Sequence, residues 1–182
     1  MISEEEQKVE NNLMGLYVSI NEWLKYAEAK NAILLPIFIA IFLGVLTILL
    51  QITITNICLK IYLYNILIFT ALGVFSTVLS FYPNLKRPFL FKGNKSNNDN
   101  LLYFGDIQKY TVLDFETAYY EKYSINEKPK NSFAKEYINQ IIINSKITYT
   151  KFTYFKIGVF LLLSAFISIV ISFLIVLFLS DK

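Results

Sequence analysis

The residues best equipped for chemistry are a basic–aromatic run and a set of tyrosines. Lys86-Arg87-Pro88-Phe89-Leu90-Phe91-Lys92 follows directly on an apolar stretch. Lys86 and Arg87 have the chemistry to hold a phosphate. The simplest reading of the same run is an interfacial anchor, with rings at the headgroup level and charges in water. Eight of the thirteen tyrosines fall between residues 83 and 156. Such rings stack on nucleobases and hydrogen-bond through their hydroxyls, and they also serve as ordinary core or helix-face residues. Groups for covalent or metal chemistry are scarce. The chain has no histidine, the commonest general base and zinc ligand. Its single cysteine, Cys58, cannot form an internal disulfide or a multi-thiolate site, and reads as a small apolar residue near a membrane boundary. No glycine-rich phosphate loop and no nucleophile motif occurs. Glu28 and Lys30, two apart on a helix, do not face each other. The pattern points away from an enzyme, and implies no cofactor and no metal.

The elements that carry these residues are set by hydropathy. Ile157 to Leu179 is uninterrupted and uncharged, roughly 35 Å long as a helix and enough to cross a bilayer. Similar runs lie at about 32–50 and 61–82. The fold class is an all-α integral membrane protein. Three transmembrane helices accompany a cytoplasmic helical region formed by an N-terminal helix and the segment between spans 2 and 3. The organisation is residues 1–31 as a cytoplasmic amphipathic helix, 32–82 as a transmembrane hairpin, 83–156 as the cytoplasmic helical region, and 157–179 as the third span. The N-terminus begins Glu4-Glu5-Glu6, acidic where a signal peptide is basic, and its apolar run starts late. The first span is therefore a retained helix.

Orientation follows from charge. With the N-terminus in the cytoplasm and the C-terminus outside, fifteen of the seventeen Lys and Arg residues lie on the inner side, leaving Lys60 and Lys182 outside. The positive-inside rule thus sets the orientation of a multi-pass membrane protein. The net charge of +3 is accounted for by this topology and does not call for nucleic acid.

Outside the spans the pattern is helical. Ser3 and Glu6 form a capping box. Val9, Leu13, Leu16, Ile20, Trp23 and Ala27 recur as a heptad seam, which needs either another part of this chain or a second copy as its partner. Gly15 lies beside the seam, where it lowers helix stability slightly and permits close approach. Lys30 is placed to snorkel to the headgroups, and Pro36 kinks or restarts the helix of the first span. A helix is expected at about 111–123, with Val112, Phe115 and Tyr119 on one face. A second starts near Ser132, with a stripe of Ala134, Ile138, Ile141, Ile142, Ser145, Tyr149 and Phe152. No proline or glycine interrupts Ser132 to Lys156, and Gly158, inside the last span, is the only weak point. The expectation is one helix of about 48 residues, roughly 70 Å long.

Three stretches resemble a known family. Ala27-Glu28-Ala29-Lys30-Asn31-Ala32-Ile33-Leu34-Leu35, with Glu28, Lys30 and Asn31 at the membrane interface, is similar to the entry to the first span in the transmembrane effectors of Pycsar anti-phage systems, the PycTM family. Ser80-Phe81-Tyr82-Pro83-Asn84-Leu85 resembles their proline-marked exit from the second span. Asn100-Leu101-Leu102-Tyr103-Phe104-Gly105-Asp106 resembles their N-L-L-F-F-G turn. Asn31, Tyr103 and Pro36 depart from the usual pattern. The resemblance implies a membrane effector that senses a cyclic pyrimidine nucleotide, cCMP or cUMP, made by a partner pyrimidine nucleotide cyclase on infection. The effector then impairs the inner membrane and causes abortive infection. It transfers no ligand residues.

On that reading the candidate ligand surface is Tyr103, Phe104, Lys109 and Tyr110, with Lys86 and Arg87 for the phosphate. A cyclic nucleotide, the lipid bilayer and further copies of the chain, as a homo-oligomer, are the expected partners. The competing reading is a structural or assembly protein that oligomerises through its cytoplasmic helices without a small ligand.

Overall fold

The computed structural model describes residues 4–82, 93–125 and 132–180, and the side chains of these except residues 5, 132 and 169–180. The Ser3 cap, the proline-marked exit at Pro83, and Lys86 and Arg87 lie outside the described residues. Among the described residues the regular structure consists of five helices: α1 (Glu4–Gln51), α2 (Ile57–Phe81), α3 (Phe104–Ile107), α4 (Val112–Lys122) and α5 (Ser132–Ser180).

α1 is continuous over 48 residues and carries Pro36 inside it. The helix does not restart at that proline. A proline removes one N–H and displaces one carbonyl partner, and in an apolar span the remaining backbone bonds have no water to turn to, so the helix continues. α5 runs unbroken for 49 residues, as its uninterrupted sequence predicts.

α2 begins before its apolar run, because Asn56 caps it. The Asn56 side chain accepts from the backbone N–H groups of Cys58 at 2.9 Å and Leu59 at 3.2 Å. That supplies partners for donors that a helix start leaves unsatisfied. The turn between the first two long helices is shortened accordingly. At the other end the Tyr82 N–H donates to the Leu79 carbonyl, and α2 stops at Phe81.

The chain forms two compact units. The first comprises residues 1–27 and 83–152, the second 28–82 and 153–182. In the first, the α1 seam is buried against the chain itself. Val9, Leu13, Leu16 and Ile20 share one core with Leu101, Phe104, Ile107, Phe115 and Tyr119, and with Ala134, Ile138, Ile141 and Ile142 of α5. The seam's partner is thus internal. Trp23, although on the seam by spacing, is 42% exposed and packs at the edge through the rings of Tyr26, Phe104 and Phe152. Asn144 of α5 donates to the Asn21 side chain of α1 at 2.7 Å.

The second unit contains long apolar stretches of α1, α2 and α5. Three helical segments, Glu6–Gln51, Ile57–Phe81 and Phe133–Ser168, are long and apolar enough to cross a membrane. Their packing depends on two glycines. A Cβ at Gly73 would lie 2.2 Å from the ring of Phe38, and one at Gly158 would lie 2.7 Å from Leu34. Small residues at such crossings let helices approach closely. Ser76 of α2 donates to the Tyr154 carbonyl of α5 at 3.2 Å. Thr70 and Thr77 donate to the carbonyls of Ile66 and Gly73 in their own helix, which satisfies buried hydroxyls locally.

Candidate functional site

The turn that precedes α3 is built by its own polar residues. The Asn100 side chain accepts from the Leu102 N–H at 3.0 Å, an Asx-type turn. The Asp106 carboxylate accepts from the Asn100 N–H at 3.0 Å. These two bonds explain why asparagine and aspartate bracket the apolar residues here. Next to this turn, Asp99 is buried and collects three donors. They are Lys109 Nζ at 2.9 Å, the Tyr110 hydroxyl at 3.2 Å and the Ser96 N–H at 3.0 Å. Lys109 also reaches Asp106 at 2.7 Å, and Lys122 Nζ donates to the Asp99 carbonyl at 2.7 Å.

Electrostatics follow from these contacts. Burial alone would push the Asp99 carboxyl up. Hydrogen bonds from Lys109, the Ser96 amide and Tyr110 outweigh it and hold the group below the usual carboxylate range. Hydrogen bonds to Asp106 and then Asp99 raise Lys109 above its ordinary value. Burial, followed by the Asp99 charge, raises Tyr110. Asp114, bonded first by Lys95 and then by Thr111, is held at about 2, and its capping box with Thr111 starts α4.

The residues named from sequence fall into distinct environments. Lys109 and Tyr110 meet at Asp99, and both are engaged within the protein. Phe104 is buried in the core and stacks on Phe152, with centroids 5.3 Å apart. Tyr103 is exposed and lies against Phe104 at 4.6 Å. Its ring also covers Gly105, where a Cβ would come within 2.4 Å of it. In the second unit, Lys30 sits 5.0 Å over the ring of Phe155, Asn31 is fully buried and Glu28 is exposed.

An open cleft lies elsewhere in the first unit. It runs between α1 and the end of α4 and has a volume of about 850 Å³, within the size range of small-molecule sites. From α1 it is lined by Glu4, Lys8, Asn12, Gly15 and Ser19, spaced 4, 4, 3 and 4 residues, hence one face of the helix. Opposite are Tyr119, Tyr123 and Ser124, with Leu102 beside them. The rings of Tyr119 and Tyr123 are 4.8 Å apart, and Tyr123 is 41% exposed. Nothing lies within 4 Å of a Cβ built at Gly15. The close approach expected beside the seam therefore does not occur, and the glycine opens the cleft floor.

Ser124 ends α4 with φ of 52°. Its N–H donates to the Glu121 carbonyl at 3.3 Å, and the Ile125 N–H to Tyr120 at 3.0 Å. This is a Schellman stop, at whose left-handed position glycine is the usual residue. None of the ligand residues named from sequence lines this cleft among the described residues. The signal that could have found it is a polar stripe, Lys8, Asn12, Gly15 and Ser19, each one position before a seam residue.

Fold and cleft together define a helical membrane protein with three apolar helices and a separately packed, cleft-bearing unit. The sequence model of PycTM, the Pycsar effector protein domain, matches residues 12–179, and the chain belongs to that family. It is similar to the Pycsar effector protein GmPycTM of Gulbenkiania mobilis, with 32% identity over 95 residues. The aligned part is 46% of this chain and 45% of that protein, so the match spans about half the length of each. No solved structure matches.

Proposed function

We propose that the chain is a membrane effector of a bacterial anti-phage system. It is activated by cCMP or cUMP from a partner pyrimidine nucleotide cyclase, and it impairs the inner membrane to cause abortive infection. The observation that carries this reading is the family match over residues 12–179, which takes in all three candidate spans and most of the first unit. In this reading the protein is not an enzyme. Its N-terminus is cytoplasmic and its C-terminus outside, and it works as a homo-oligomer. A ligand drives such a change only by binding the active state more tightly than the resting one. The α1 and α5 helices each contribute residues to both units, which suits them to carry that difference.

The structural-assembly alternative relies on a free heptad seam. That seam is occupied by the chain's own α3, α4 and α5, which favours the effector reading. The test is co-expression in bacteria with a pyrimidine nucleotide cyclase, followed by uptake of a membrane-impermeant dye. The effector reading expects uptake only when both active proteins are present. An intact membrane with abundant inserted effector and measured cCMP or cUMP would refute it.

A further inference from the structure

We infer that the cleft between α1 and the end of α4 is the nucleotide site, with Lys8 holding the cyclic phosphate and Tyr123 stacking on the base. This rests on the proposed function for the ligand's class, and on the cleft's own chemistry for its place. A pyrimidine nucleoside cyclic monophosphate carries one negative charge, one flat ring and a few hydrogen-bonding edges. The cleft offers a matching set. Lys8 is the one cation and Glu4, at the end of the cleft, the one carboxylate among the described lining residues; among the described residues Lys8 makes no ion pair. Lys109, by contrast, is held by two carboxylates. Tyr123 presents an exposed ring already backed by Tyr119, and base–aromatic stacking of this kind tolerates either pyrimidine.

Asn12 and Ser19 point to the same conclusion. Neither side chain has a hydrogen-bond partner among the described residues, so their donors and acceptors are available. An asparagine amide can donate to and accept from the edge of cytosine or uracil, depending on which way it is turned. Gly15 is the second line of support. A glycine inside a helix costs about 1 kcal/mol relative to alanine, and here no neighbour requires it. Its bare backbone leaves room for a ligand between Asn12 and Ser19. Ser124 is the third. It occupies a left-handed position that glycine would fill with less strain, and it places a hydroxyl at the cleft wall.

The experiment is equilibrium binding of radiolabelled cCMP and cUMP to the purified full chain in detergent. Wild type is compared with Lys8→Ala, Tyr123→Ala, Gly15→Ala, Gly15→Trp and Tyr103→Ala, and melting temperature is followed in parallel. The proposal expects Lys8→Ala and Tyr123→Ala to weaken binding about ten-fold or more. Gly15→Trp should abolish it with the melting temperature no lower than that of wild type. Gly15→Ala should weaken binding less than Gly15→Trp, and Tyr103→Ala should bind like wild type. If wild type binds a nucleotide and Lys8→Ala and Gly15→Trp bind as tightly, the site is elsewhere while the effector reading stands. If wild type binds neither nucleotide, the effector reading falls and the site with it.

Discussion

The two units meet the same requirement, partners for buried polar groups, in opposite ways. In the first, charged side chains converge: Asp99 and Asp106 on Lys109, and Asp114 with Thr111 and Lys95. In the second, the buried hydroxyls of Thr70 and Thr77 return to their own helix, and that of Ser76 donates to a backbone carbonyl of α5. The difference has a physical cause. A carboxylate pair near water keeps part of its solvation, whereas in lipid an ion costs far more than a locally satisfied hydroxyl. The turns of the first unit are therefore fixed by charged contacts beside its apolar core and should respond to pH. The second is held by shape and should respond to the loss or gain of single carbons.

Substitutions can break this contrast, and the largest effect should come from the first unit's core. Phe104→Ala removes a buried ring stacked on Phe152, and is expected to cost about 3–4 kcal/mol, read as a lowered melting temperature in detergent. Asp99→Asn comes next, at about 2–3 kcal/mol, because it leaves Lys109 and Tyr110 with a weaker acceptor. Its pH signature is specific. The Asp99 carboxyl is held below its unfolded value, so its stabilisation is present above about pH 4 and is lost as pH falls through the folded value. In Asp99→Asn that part of the acid destabilisation should disappear. A wild-type and mutant acid limb of equal steepness would show that Asp99 contributes no charge-dependent stability.

For the second unit, Gly73→Ala is expected to cost about 1–3 kcal/mol, since the new methyl meets the fully buried Phe38 ring. Gly105→Ala, equally close to a ring, should cost less. Tyr103 is exposed and can swing away. Neither glycine effect should change between pH 4 and 8. Asn56→Ala, which removes the α2 cap, should cost about 1 kcal/mol. Ser124→Gly should be slightly stabilising, by less than about 1 kcal/mol. A destabilising result there would mean that the serine side chain supports the α4 stop.

Sequence made the second unit largely legible, because its long apolar runs have few alternatives to spanning helices. The long α5 was readable for the same reason, as no glycine or proline interrupts its first half. Pro36 was harder. The residue argues for a kink or restart, yet the surrounding helix is committed by its environment. The α1 seam was visible by spacing, but its partner was not, since an internal hairpin and a second copy demand the same heptads. The Asp99 cluster was invisible: Ser96, Asp99, Lys109 and Lys122 meet across turns with no periodicity. The cleft was half visible. Lys8, Asn12, Gly15 and Ser19 are periodic, but Tyr123 and Ser124 reach them only through tertiary packing.

In the proposed function, nucleotide bound by the first unit alters the membrane that the second unit spans. The most direct measurement is release of a trapped dye from vesicles of bacterial lipid that contain only the purified full chain. The account predicts release on addition of cCMP or cUMP, absent with nucleotide alone and absent in Gly15→Trp. Vesicles that contain correctly inserted protein with nucleotide bound, and that stay sealed, would contradict it.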